Sequence, residues 1–310
     1  MAGIPSEEDV VGYLDRLDNA GRWGPADELG TLNLITPEVR LRGLAAACEG
    51  LAIGCARPIV IEPGASDVLH PPVHESIATT PMTNVAPRVG TAADRLGFPG
   101  HGVTITHVDS LSHFHVDGHG YGGRFLGSRT AADPPSRGSV EAMRDGIVTR
   151  GVLVDVAAGR GVQWLEAGDA IGVDDLEKWE TTHRVRLESG DALLLRTGWA
   201  LRRQVLGPYP ERKHRPGLGA AALPWLQERG VALIASDAAH DAVPSGYTRL
   251  PMPIHTVGSV AMGLCLLDNA DFEALAGACS ERDRWTCLFM VAPLRWVNAT
   301  GSPVTPIAVL

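Results

Sequence analysis

The sequence predicts a single α/β domain whose sheet is mixed and at least partly parallel. Three observations lead there. Short runs rich in branched apolar residues, "GVLVDV" (151–156), "DALLLRTG" (191–198) and "VALIAS" (231–236), are bounded by turn formers and read as buried strands. Segments with helical spacing alternate with them through residues 150–280, the order that builds parallel strand pairs. No repeat, low-complexity tract or composition break divides the 310 residues, a length able to bury one full core.

Taken in chain order, residues 1–98 are rich in Pro and Gly and read as an irregular N-terminal arm that supplies part of the fold, leaving 99–310 as the core that carries the site. Inside the arm, Thr36 is placed to cap a helix with Pro37 at its first position. "VTITHVDS" (103–110) alternates as a strand does, so Val103, Ile105, His107 and Asp109 share one face. "DDLEKWETT" (174–182) reads as a helix opened by Asp174, and "GLGAAALPWLQERG" (217–230) as a helix that Gly230 ends just before the strand at 231.

Charge and composition remove several function classes. With 27 Lys and Arg against 36 Asp and Glu, a net charge of −9 and no run of cations, the surface is not built to track phosphates, and nucleic acid is not an expected partner. No apolar stretch approaches the roughly 18 to 20 residues that span a bilayer, and the start "MAGIPSEEDVVGYL" is acidic; a cytoplasmic protein without membrane contact is expected. Five cysteines without a CxxC pair are expected to be reduced, mostly buried and without a chemical role.

Chemistry concentrates in "HGVTITHVDSLSHFHVDGHGYGG" (101–123), which holds five of the chain's eleven histidines. His107 and Asp109 project together from one strand face, a half-site for a divalent cation, and the lack of nearby cysteine favours Zn²⁺ or Mn²⁺ over a thiolate site. His113 follows past the strand end, where it could carry protons. Elsewhere, Asp237, His240 and Asp241 directly follow the strand at 231–236, at the kind of terminus where α/β sheets place their sites. Arg196 reads as a structural ion pair. Trp23 and Asn33 in the arm, and Tyr121 and Arg124 past the histidine cluster, are candidates for substrate contact.

The segment "THVDSLSHF" resembles the signature of the putative cyclase family, which includes arylformamidase and isatin hydrolase, through Thr106, His107, Asp109 and His113. "RWGPADELGTLN", "SDAAHDAVPS", "LPMPIHTVGSVAMGLCLLDNADFEAL" and "GSPVTPIAV" extend that resemblance over nearly the whole chain. It implies a swivelling β/β/α fold, a metal-dependent hydrolase of amides or lactones, and a homodimer or homotetramer, to which the extended segment 56–98 is expected to contribute. Carried over, it makes His107 and Asp109 metal ligands, His113 the general acid/base, and His255 and Asp268 the later ligands. The sequence departs from the family at five places, one of them Asp268, which is shorter than the usual Glu and displaced by one position. Val103 replaces the hallmark's first histidine, Ile105 stands where longer members place another, and His115 and His119 replace an aromatic and a lysine, so that Ile105, His115 and His119 are expected to face the substrate. Either a cation is held with help from His115, His119 or His101, or the site works as a cyclase, dehydratase or isomerase by acid/base chemistry alone.

Overall fold

Near-continuous apolar strands need burial on both faces, and four of them lie side by side at the centre of one sheet. The computed structural model describes residues 3–60, 73–78, 89–126, 137–209 and 212–310. Among these, nine strands form the main sheet: β1 (Ala52–Gly54), β2 (His107–Asp109), β3 (Ile147–Asp155), β4 (Ala192–Arg196), β5 (Leu233–Ser236), β6 (Cys265–Asp268), β7 (Thr286–Val291), β8 (Gly301–Pro303) and β9 (Ile307–Val309). Their order is β1-β9-β7-β3-β4-β5-β6-β2-β8. The run from β3 to β6 is parallel, and every other pairing is antiparallel, β2 lying between β6 and β8. The sheet is therefore mixed, and the chain is a single α/β domain.

Helices α1 (Glu7–Arg16), α2 (Pro37–Ala45), α3 (Val156–Gly159), α4 (Val173–His183), α5 (Trp199–Leu206), α6 (Ala222–Arg229) and α7 (Glu273–Arg282) accompany it, with a π-helix at Ile254–Met262. Thr36 caps α2 as expected, its Oγ1 accepting from the Val39 amide at 3.4 Å. The helix crosses β3 so closely that a Cβ on Gly43 would come within 2.6 Å of the Thr149 carbonyl carbon, which only glycine avoids. Two helix starts differ from expectation. Gly172, not Asp174, caps α4, with Asp175 accepting the Gly172 amide at 2.9 Å. Helix α6 begins five residues after Gly217, because Gly217–Leu218 pair instead with Ala170–Ile171.

The strand expected over 103–110 is confined to His107–Asp109. The physical reason is a competition for backbone groups. Asn269 Nδ2 donates to the Gly102 carbonyl at 2.7 Å and to the Ile105 carbonyl at 3.2 Å, and Arg57 Nη1 donates to the Val103 carbonyl at 3.2 Å. Side chains take the acceptors that a neighbouring strand would need, so Val103 and Ile105 are buried in a bent segment ahead of β2.

The N-terminal arm is more firmly built than its composition suggests. Val10 and Leu17 enter the core, the Asn19 amide donates to the Ala261 carbonyl at 2.9 Å, and Asn19 Nδ2 donates to the Met262 carbonyl at 2.9 Å. Of the extended segment 56–98, residues 61–72 and 79–88 lie outside the described residues, while Val73–Ala78 and Ala92–Gly97 pair as an antiparallel ribbon. No described helix is long and apolar enough to cross a membrane. Cys55, Cys265, Cys279 and Cys287 are buried, Cys48 is exposed, and all five are unpaired.

Arg196 is a structural ion pair. Its Nη1 meets both Asp155 oxygens at 2.9 and 3.0 Å, and its Nε and Nη2 meet Glu273 at 2.9 and 2.7 Å, tying β3 and β4 to α7. Removing the guanidinium strands the buried Asp155 carboxylate and leaves the partly exposed Glu273 unpaired, so Arg196→Met should lower stability by about 3 kcal/mol. Urea denaturation at neutral pH measures it; a loss below 1 kcal/mol would show the ion pair to be incidental.

Candidate active site

The β2–β6 pairing brings the site together, because it sets His107 directly opposite Asp268. Side chains two apart on β2 point to one side, so Asp109 joins them. His107 Nε2 lies 3.5 Å from Asp109 Oδ1 and 3.9 Å from Asp268 Oδ2, and all three side chains are buried. The Ile105 carbonyl can only accept, so His107 Nδ1, 2.8 Å away, carries the ring proton and Nε2 offers a lone pair to the cluster.

On the outer side of Asp109 stand two more imidazoles. His101 Nδ1 donates to Asp109 Oδ1 at 2.8 Å, and His101 Nε2 lies within hydrogen-bond distance of the Thr300 hydroxyl, 2.9 Å away. The ring fits there because β8 begins with a glycine: a Cβ on Gly301 would sit 2.4 Å from His101 Cε1. His113 Nε2 is 4.0 Å from Asp109 Oδ2, and its ring stacks on His101 at 3.7 Å and 5°. His101 and His113 are 25% and 29% exposed while Asp109 is 4% exposed, so solvent reaches the cluster past these two rings. Phe114 stands edge-on to His113 at 4.7 Å and lies 4.9 Å from the His255 ring.

On the inner side, Asp268 is flanked by two histidines. His255 Nε2 lies 3.3 Å from Asp268 Oδ2, and His255 Nδ1 lies 2.5 Å from Asp241 Oδ2. Asp241 also accepts the Ile254 amide at 2.7 Å, fixing the start of the π-helix. His240 Nε2 lies 3.1 Å from Asp268 Oδ1 on the other side.

The charges follow from this packing. Burial alone would raise Asp109, but His113, His101 and His107 hold it well below the usual carboxylate range. Burial lowers His113 to about 4 against the pull of Asp109, and lowers His240 to about 4 against that of Asp268. Burial opposes charge on His255 too, yet Asp268 and Asp241 outweigh it and its pKa is raised. Asp268 is lowered, mainly because His255 and His240 outweigh its burial.

Among the described residues, two groups have the spacing to hold a cation: His107, Asp109 and Asp268, all buried, and His101, Asp109 and His113. In each, the ligand atoms lie within 4.8 Å of one another. The structure thus brings His107, Asp109, His113, His255, Asp268 and His240 to one place.

It does not bring every candidate there. His115 and His119 are exposed, and His119 pairs with its own loop through the Asp117 carbonyl at 3.0 Å. Tyr121 is buried with its hydroxyl 2.9 Å from Asp27 Oδ2, and Arg124 Nη2 donates to the Asp27 carbonyl. Asn33 Nδ2 donates to Asp27 Oδ1 at 2.7 Å, so these three side chains fix the turn around Asp27. Trp23 is half-buried, with Arg22 over its ring at 4.8 Å. Asp237 is fully buried and accepts from the Thr197, Gly198 and Trp199 amides and the Thr197 hydroxyl at 2.7–3.1 Å, capping α5.

Sequence reasoning named His101 only as one of three replacement nitrogens, and missed Thr300, Phe114 and Asn269. Asn269 had a visible signal, an amide directly after a ligand-type Asp at a strand end. Thr300 had none, since only the β2–β8 pairing brings it near residue 101.

A histidine–carboxylate centre held on adjacent strands of a mixed sheet defines the class: a single-domain α/β scaffold with a buried cluster whose donors have the spacing of a cation site. The family model described as Putative cyclase matches residues 59–240, more than half of the chain, and the chain belongs to that family. A crystal structure of a novel cyclase superimposes with a TM-score of 0.83 at 28% identity, over 95% of this chain and 100% of that one. Isatin hydrolase A from Ralstonia solanacearum shares the fold with a TM-score of 0.60 at 22% identity over 88% and 97% of the two chains. The Labrenzia aggregata isatin hydrolase A, bound to benzyl benzoate, does so at 0.59 and 20% over 86% and 98%. No curated protein sequence matches.

Proposed function

We propose that the protein is a metal-dependent hydrolase that opens a cyclic amide, an aryl amide or a lactone. The observation that carries this reading is the buried convergence of His107, Asp109 and Asp268 beside His113. These residues fit a divalent cation. His107 presents a lone pair, two carboxylates concentrate negative charge out of water, and Asp268 Oδ1 is buried without a hydrogen-bond partner. Imidazole and carboxylate donors without a thiolate suit Zn²⁺ or Mn²⁺. A divalent cation bound there supplies Lewis acidity toward a carbonyl and makes a water more acidic.

The chain's own residues do the rest. His113, neutral and open to solvent on one edge, takes a proton at Nε2 from the attacking water and returns it to the leaving nitrogen or oxygen. His101, pinned at both ring nitrogens, holds the His113 ring plane by stacking. His255, tied to Asp241, orients Asp268. The isatin hydrolases that share the fold act, by name, on a cyclic amide, which sets the substrates to try first.

Elemental analysis after mild purification should find about one Zn²⁺ or Mn²⁺ per chain, and chelation should remove hydrolysis. Background metal with chelator-insensitive turnover would favour the second reading, a cyclase, dehydratase or isomerase that moves protons through His113 and Asp109. That reading draws on the Asp241–His255–Asp268 chain, whose side chains are linked by hydrogen bonds.

A further inference from the structure

His240 is a fully buried histidine, and among the described residues neither of its ring nitrogens has a hydrogen-bond partner. Asp268 Oδ1, 3.1 Å from its Nε2, is equally buried and equally without a hydrogen-bond partner, because the two atoms are close without being aligned for an N–H···O bond. Leaving one buried polar group unpaired costs about 1–3 kcal/mol, so the two such atoms that face one another, His240 Nε2 and Asp268 Oδ1, call for a partner that the described residues do not supply.

The position of His240 is not free to relax. Its carbonyl accepts the Leu218 amide at 2.7 Å, and the next residue, Asp241, is held by the Ile254 amide at 2.7 Å and by His255. The ring is thus presented to Asp268 from the loop that follows β5, four residues past Ser236, beside the end of the neighbouring β6. Two donors that bind one cation at about 2.1 Å, at tetrahedral to octahedral angles, stand roughly 3.0 to 3.4 Å apart and do not point at each other. The spacing and misalignment of His240 Nε2 and Asp268 Oδ1 are of that kind.

We propose that His240 Nε2 is a direct ligand of the divalent cation, bound jointly with Asp268. Asp268 then links the two halves of the centre, its Oδ2 facing His107 on β2 and its Oδ1 facing His240 on the β5 side. The inference rests on the metal-dependent reading above and adds to it a nitrogen donor from outside the histidine-rich segment.

Titration of Mn²⁺ into the apo protein, followed by electron spin resonance, tests it. His240→Gln should weaken Mn²⁺ binding tenfold or more and remove one imidazole nitrogen coupling from the pulsed spectrum. An unchanged nitrogen count with affinity within twofold of wild type would overturn the assignment. A second measurement uses wild type alone, in case the variant does not fold. Zn²⁺ added to ¹⁵N-histidine-labelled protein should shift a ring nitrogen of His240 together with Nε2 of His107; a His107 shift with His240 unmoved would mean that a water satisfies it. Failure of the underlying reading looks different, since wild type would then take up neither metal.

Discussion

Asp109→Asn should abolish function more completely than any other single substitution. Asp109 is the one residue common to both cation-spaced groups, and three imidazoles converge on its carboxylate from His101, His107 and His113. The amide keeps the shape and removes the charge, so the cation loses a ligand and the imidazoles lose their shared acceptor. Cation affinity should fall about a hundredfold or more. Hydrolysis should fall by at least about a thousandfold, since cation and proton carrier both depend on this side chain. Calorimetric metal titration and turnover of a panel of lactams, aryl amides and lactones measure the two effects. A variant that keeps its metal and more than a tenth of its activity would place the reaction elsewhere.

His113→Asn should separate proton transfer from metal binding. With the cation held in the fully buried group of His107, Asp109 and Asp268, His113 meets it through a 4.0 Å approach to Asp109 and a stack on His101, so metal content should stay at the wild-type level. Loss of a positioned general base lowers kcat by about 10²- to 10⁴-fold. The pH profile gives an independent check. Burial lowers His113 to about 4, and a base works only when unprotonated, so wild-type kcat/KM should hold on acidification until pH nears 4 and fall below it. A neighbouring cation pushes in the same direction. An acidic limb near the ordinary histidine range, or a variant that keeps the wild-type limb, would rule out His113 as the base.

Much of this was legible from residue order, and the parts that were share a physical basis. Branched apolar runs bounded by turn formers favour buried strands, and β3, β4 and β5 lie on the three runs so marked, although β3 starts four residues earlier than expected, at Ile147. Thr36 before Pro37 marked a helix start because capping depends on residues within one turn. Arg196 after an apolar run signalled an ion pair because a guanidinium cannot remain buried alone. The boundaries that shifted did so through long-range competition. Asn269 and Arg57, far away in sequence, took the acceptors that would have extended β2 backward to Val103, and Gly217 paired with Ala170 rather than joining α6.

The site divides in the same way. Sequence by itself determined that His107 and Asp109 project together, since alternation along a strand is a local property, and that His113 follows beyond the strand end. It could not decide which histidines approach Asp268. His115 and His119 looked as close in sequence as His101 and His113, yet a short loop with its own hydrogen bonds turns them to solvent. His101 comes back onto Asp109 because Thr300 and Gly301 form its seat, and His240 reaches Asp268 because parallel pairing of β5 with β6 sets their ends side by side. Sequence therefore fixes what each residue can do chemically, but proximity across strands depends on sheet order and register, which no local pattern encodes.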